Sequence, residues 1–167
     1  EKNSASSLTE IPGLAFKNNE GRAVFNNQRF VNNLDELGRV DYSLLNLKKY
    51  HKIGYSYGGK AVLSRNLTTA PIMATRGCPY ACYFCSSPTY TGRKFRAFSS
   101  ARIVEMVTYL VEKFKVKELQ FLDDNFTINY ERAMEICEGI EPFHLRITFP
   151  NAIRADLPKD PEKRLKL

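Results

Sequence analysis

Three thiols stand within eight residues of one another, Cys78, Cys82 and Cys85, in the run Cys78-Pro79-Tyr80-Ala81-Cys82-Tyr83-Phe84-Cys85. As thiolates they are soft ligands that suit zinc, or iron with sulfide. A spacing of three and then two intervening residues lets one loop wrap a compact inorganic core. A structural zinc site wants a fourth ligand, because zinc in such sites is closed and tetrahedral. No candidate lies close in sequence. Cys137 falls among the apolar positions of an expected helix about fifty residues further on, where a free cysteine is most often a small buried hydrophobe, and His51 and His144 have no ligand-like spacing. A disulfide framework would leave one thiol of the trio over, and no export signal is visible. Three thiolates on a four-iron cluster leave one iron without a protein ligand, a defect in an electron carrier and an opening for substrate in a catalyst.

The elements that must position these thiols follow a strand-then-helix rhythm from Pro71 onward. Pro71-Ile72-Met73-Ala74-Thr75 reads as a strand, and the cysteines come directly after it in a loop. Ser99 or Ser100 then caps a helix with Ile103, Val107, Leu110 and Phe114 on one face, widened by Val104 and Val111, and with Glu105, Thr108, Glu112 and Lys115 opposite. A second strand is expected over 118–122, a second helix with Ala133, Met134, Cys137 and Ile140 as its apolar positions, and a third strand over 145–149. Such alternation implies right-handed βα units and a parallel sheet, whose carboxyl-end loops converge on one face. Asp160-Pro161-Glu162 announces a further helix, so the chain is expected to stop in mid-domain. Residues 1–70 differ, with short apolar stretches among Asn, Gly and Tyr. A hairpin is expected around Asn18-Asn19-Glu20-Gly21, a short helix after Asp41, and a loop at Gly54, Gly58 and Gly59.

The pattern Cys-x3-Cys-x-aromatic-Cys, matched by Cys78, Cys82, Phe84 and Cys85, resembles the signature of the radical S-adenosylmethionine superfamily. Thr75-Arg76-Gly77-Cys78-Pro79, Phe121-Leu122-Asp123-Asp124-Asn125-Phe126-Thr127 and Asn151-Ala152-Ile153-Arg154-Ala155-Asp156 resemble the branch that carries an amino-terminal cobalamin-binding domain. Ile11-Pro12-Gly13-Leu14-Ala15-Phe16 is similar to the segment joining that domain to the barrel. The resemblance implies an α/β fold: the N-terminal part of a parallel (βα) partial barrel over 71–167, with two βα units and a third strand. Ahead of it, 1–70 would be an irregular linker following a cobalamin-binding domain that this chain lacks.

What the resemblance implies about chemistry is a 4Fe-4S cluster on Cys78, Cys82 and Cys85 that binds S-adenosylmethionine and cleaves it reductively to a 5'-deoxyadenosyl radical. The setting would be a cobalamin-dependent radical methyltransferase or a related enzyme, with cobalamin used by the parent protein alone and the isolated fragment inactive. Phe84 would lie near the adenine, its other role being core packing. Asp123 and Asp124, at the carboxyl end of the second strand, could receive the ammonium of the methionine moiety, unless one of them caps the following turn, with Thr127 or Asn129 capping the next helix. Asn151 and Arg154 could contact the cofactor carboxylate or the substrate, although Arg154 could equally pair with Asp156. Arg93, Lys94 and Arg96 are either solvated or face an anionic partner. A radical RNA-modifying enzyme and a non-catalytic metal-binding fragment are the alternatives.

Composition bounds these readings. With 167 residues, 43% hydrophobic and 26% charged, the chain suffices for one modest core. No apolar run approaches the roughly 18 residues of a membrane span, and the first residues lack signal-peptide order, so a cytoplasmic protein without a membrane partner is expected. The net charge of +7 invites a nucleic-acid partner, but the Lys and Arg residues are dispersed, as on solvated faces. The expected partners are a small-molecule substrate and a one-electron reductant such as a flavodoxin or ferredoxin.

Overall fold

The computed structural model describes residues 8–47, 49 and 68–165. The expected loop at Gly54, Gly58 and Gly59, with Lys48 and His51, lies outside the described residues. The chain divides into two compact units, the first ending at Asn32. In the first, β1 (Ala15–Lys17) and β2 (Ala23–Phe25) form the expected antiparallel hairpin. The Asn18 carboxamide oxygen accepts from the Glu20 and Arg22 backbone N–H groups, at 3.1 and 2.9 Å, which closes the turn.

The second unit holds the sheet. β3 (Thr69–Ile72), β6 (Glu118–Phe121) and β7 (Arg146–Thr148) pair in parallel with β6 central. The crossovers run through α2 (Ser100–Phe114) and α3 (Tyr130–Ile140), and α4 (Pro161–Leu165) follows β7. This is the parallel sheet with crossover helices that the strand-helix rhythm implied, and it fits the partial barrel that the resemblance implies. Side chains alternate along each strand, and the in-register pairing aligns them in rows. One face carries Ala70, Ile72, Leu119 and Phe121, all buried in one core with Ile103, Val107 and Leu110 of α2 and Ile136 and Ile140 of α3. The other face carries Thr69, Pro71, Glu118, Gln120, Arg146 and Thr148 and is polar.

Caps fall where the side-chain chemistry places them. The Ser99 hydroxyl accepts from the Arg102 N–H at 3.2 Å, and the Asn129 carboxamide accepts from the Arg132 N–H at 3.0 Å. Asp41 accepts from the Ser43 N–H at 2.9 Å, heading the expected short helix, which is a single 3-10 turn, Tyr42–Leu44. Leu34, Tyr42 and Leu47 lie in the same core as Ile72 and Phe121, and the Tyr42 hydroxyl donates to the Pro71 carbonyl at 2.5 Å.

Three local readings are corrected. The first strand begins at Thr69 and ends at Ile72, while Thr75 belongs to a separate strand, β4 (Thr75–Arg76). That strand pairs antiparallel with β5 (Arg96–Ala97), so the cysteine loop is a closed excursion with α1 (Ser87–Thr91) inside it. On α3 the core positions are Arg132, Ala133, Ile136 and Ile140, whereas Met134 and Cys137 are half-buried at the margin. The α2–α3 crossing is close: a Cβ added at Gly139 would sit 2.5 Å from Val104 Cγ2. We expect Gly139→Ala to lower stability by about 1–2 kcal/mol, overpacking outweighing the helix-propensity gain. Adding Val104→Ala should relieve the clash, visible as a positive coupling between the two substitutions in urea unfolding of the intact protein.

Candidate functional site

The cysteine loop leaves the sheet at Ala74, and this departure point is held by buried polar groups. The Asp123 carboxylate accepts from the Ala74 N–H at 3.2 Å and from the Thr75 hydroxyl at 2.5 Å. Arg132 donates from Nε to the Phe98 carbonyl at 2.8 Å and from Nη2 to the Ala74 carbonyl at 2.9 Å. The Phe98 N–H donates to that same Ala74 carbonyl at 3.1 Å. Burial pushes the Asp123 carboxyl above its usual range, opposed by the Thr75 and Ala74 hydrogen bonds and by the Arg132 charge. Burial likewise lowers the Arg132 guanidinium, against the pull of Asp123.

Beyond Ala74 the chain must turn sharply. Gly77 sits at φ +84°, and a Cβ there would lie 2.2 Å from the Lys94 carbonyl oxygen, so two backbones touch where glycine alone fits. The Cys78 N–H donates to the Gly92 carbonyl at 3.2 Å, and the Cys85 N–H to the Cys82 carbonyl at 3.0 Å. Two arginines staple the loop. Arg93 Nη1 donates to the Tyr80 carbonyl at 3.3 Å. Arg96 is buried, donating to the Lys94 and Thr91 carbonyls, and desolvation followed by the nearby Arg76 charge lowers its pKa. Neither reading offered for Arg96, solvated or facing an anionic partner, describes a buried staple.

Cys78, Cys82 and Cys85 line one open cavity of about 380 Å³, together with Phe84, Asp124, Asn151 and Arg154. The loops after β4, β6 and β7 thus meet at the carboxyl ends of the strands, as a βα architecture requires. All three thiols are free, Cys78 half-buried and the other two exposed. Among the described residues, no three His, Cys, Asp or Glu side chains converge closely enough to hold a single metal ion. The three thiols line one hollow, and as soft donors they are of a kind that could hold iron with sulfide.

The other residues singled out in the sequence divide. Asp124 lines the cavity, its carboxylate accepting from the Ser87 hydroxyl at 3.0 Å and the Thr91 hydroxyl at 3.4 Å. Asp123 does not line it, being 2% exposed and bonded to the base of the loop. Phe84 is 84% exposed and meets Tyr83 edge-on at 6.2 Å, so it takes no part in the core. Asn151 donates to the Leu122 carbonyl at 3.1 Å. Arg154 forms the bidentate pair with Asp156, at 2.9 and 2.7 Å, while also lining the cavity. Asn125, buried and also lining the cavity, was not singled out as a site residue, although it follows Asp124 at a strand end where site residues gather.

Residues 72–153 match the family model described as the Radical SAM superfamily, and the chain is similar over most of its length to the proteins that follow. Among its relatives is the Uncharacterized methyltransferase PH0819 of Pyrococcus horikoshii, 32% identical over 149 residues, covering 89% of this chain and 30% of that protein. The Anaerobic magnesium-protoporphyrin IX monomethyl ester cyclase of Synechocystis sp. is 28% identical, over 89% of this chain and 27% of its own length. In fold the chain is similar to the cobalamin-dependent S-adenosylmethionine radical enzyme OxsB, solved with aqua-cobalamin bound. That match has a TM-score of 0.66 at 22% identity and covers 95% of this chain and 22% of that one. The chain therefore spans less than a third of the length of these relatives.

Two outcomes follow from this geometry. Gly77→Ala should prevent the Gly77–Lys94 approach and open the β4–β5 pairing, read as loss of amide protection across residues 75–97 in hydrogen exchange. Asp123 titrates near 3.8 when unfolded and higher when native, so the folded state holds its proton more tightly. Its contribution to stability is therefore greatest at low pH and is lost as pH rises through the raised native value. Denaturant midpoints of the wild type measured relative to Asp123→Asn across that interval should fall with rising pH.

Proposed function

We propose that the protein carrying this chain is a cobalamin-dependent radical S-adenosylmethionine methyltransferase or a close chemical relative, with a 4Fe-4S cluster held by Cys78, Cys82 and Cys85. One observation carries the reading: three free cysteines spaced as Cys-x3-Cys-x-aromatic-Cys share a cavity with Asp124, Asn151 and Arg154 at the carboxyl ends of a parallel sheet. When bound, the cluster would supply one electron to S-adenosylmethionine, whose carbon–sulfur bond would then break to leave methionine and a 5'-deoxyadenosyl radical.

The chain's own residues do the placing. Asp124, its carboxylate fixed by Ser87 and Thr91, offers negative charge to the ammonium of the methionine moiety. Asn151, anchored at Leu122, and the Arg154 guanidinium present polar groups suited to a carboxylate. The exposed Phe84 ring offers an aromatic face to adenine. Methyl transfer enters through PH0819, named a methyltransferase, and cobalamin through OxsB, named as dependent on it. No residue of this chain is assigned to cobalamin. A small-molecule substrate and a one-electron reductant complete the scheme. The reading as an RNA-modifying enzyme gains nothing from the loop arginines, because Arg93 is bonded to Tyr80 and Arg96 is buried.

Anaerobic reconstitution of the intact protein with iron and sulfide should give broad brown absorption and about four irons per chain. Cys82→Ala should lose most of that absorption, and S-adenosylmethionine should alter the electron paramagnetic resonance signal of the reduced wild type. A colourless protein that binds zinc stoichiometrically would overturn the reading.

A further inference from the structure

The Arg154 side chain makes two contacts that together do more than pair it with a surface carboxylate. Asp156 grips the guanidinium through two parallel hydrogen bonds, which fixes its plane. That plane lies over the Tyr80 ring, 3.9 Å from guanidinium carbon to ring centroid. Tyr80 belongs to the stretch between Cys78 and Cys82, whereas Arg154 follows β7, so the contact ties the cysteine loop to a different part of the sheet. The local backbone is bent to allow it. Ala152 adopts φ +64°, and its N–H donates to the Phe149 carbonyl at 2.9 Å, a tight left-handed turn that returns the chain toward the cavity. Arg154, Tyr80 and Cys82 then line the same hollow.

We propose that Arg154 is a positioning residue for the cysteine loop: held by Asp156, it clamps the loop through the face of Tyr80 and places a fixed positive charge at the thiol cavity. The charge half of this inference rests on the cluster reading above, and the clamp half does not. The loop is otherwise held by Gly77 against Lys94, by the Cys78–Gly92 bond, by Arg93 on the Tyr80 carbonyl, by Arg96, and by Asp124 on Ser87 and Thr91. Among these ties the Arg154 contact with Tyr80 and the Asp124 bonds reach the loop from outside the β4–β5 excursion, and Arg154 alone does so between Cys78 and Cys82. Thiolates around an iron–sulfur core carry net negative charge that increases on reduction, so a nearby guanidinium favours the reduced form. A planar, doubly held cation does this without having to reorganise.

The test uses the intact protein with Arg154→Gln, Arg154→Lys, Tyr80→Leu and Tyr80→Phe. Hydrogen exchange of a peptide spanning 78–85 is followed in apoprotein kept anaerobic and reduced. Arg154→Gln, Arg154→Lys and Tyr80→Leu should exchange about twofold to fivefold faster, the population change that one cation–π contact can supply, while Tyr80→Phe should match wild type. Unchanged exchange in both Arg154→Gln and Tyr80→Leu overturns the clamp, even beside a normally loaded cluster. Faster exchange in a protein that never takes up iron sustains the clamp and sinks the cluster reading instead. In reconstituted protein reduced by dithionite, the midpoint potential should move negative in Arg154→Gln and stay near wild type in Arg154→Lys. An unmoved potential in Arg154→Gln overturns the placed charge.

Discussion

The peptide unit at Ala74 is where the sheet becomes a site. A buried carboxylate and a buried guanidinium, brought from the loop after β6 and from α3, bond to the N–H and the carbonyl of that one residue. Both ionisable groups are disfavoured by burial as charges, and each is faced by the other. Arg132 Nη1 is buried with no hydrogen-bond partner of its own, so the attraction of Asp123 is part of what offsets its desolvation. Removing one member leaves the other buried with less to offset its desolvation. The cost falls on the local geometry, since Ala74, Thr75 and Phe98 carry both ends of the cysteine loop.

From this node outward, the loop is specified by backbone contacts more than by side-chain packing. Gly77 lies against Lys94, Cys78 bonds to Gly92, and Arg96 bonds the Thr91 and Lys94 carbonyls. Tyr83 and Phe84 are almost wholly exposed, so the cysteine run gains little from hydrophobic burial. A loop held by its ends and by polar ties can keep three thiols accessible around a hollow, where a loop collapsed onto the core would bury them. Asp124 extends the same logic to α1, tying Ser87 and Thr91 to the end of β6.

The thiol trio of the candidate site was legible in the sequence because its members are local. Three cysteines and an aromatic within eight residues need no tertiary contact to be recognised. The helices and parallel strands were equally readable, since the apolar rows of α2 and the caps Ser99 and Asn129 are local features. Less readable were the pairs that short-range pattern does not encode. Asp123 and Asp124 look identical as neighbours, yet the loop after β6 sends one to the buried node and the other to the cavity. Arg132 and Arg96 look like surface cations and are buried, because backbone carbonyls that only folding assembles accept their hydrogen bonds.

Residue types and spacing alone therefore determined the thiol trio, the order of strands and helices and the hairpin of the first unit, each through interactions spanning a few positions along the chain. Tertiary structure decided which acidic residue faces the cavity, that the thiol loop closes through β4 and β5, and that Arg154 lies on Tyr80. Those outcomes join residues about 20 to 75 positions apart, and their free energy exists only once the core has fixed the strand ends in register.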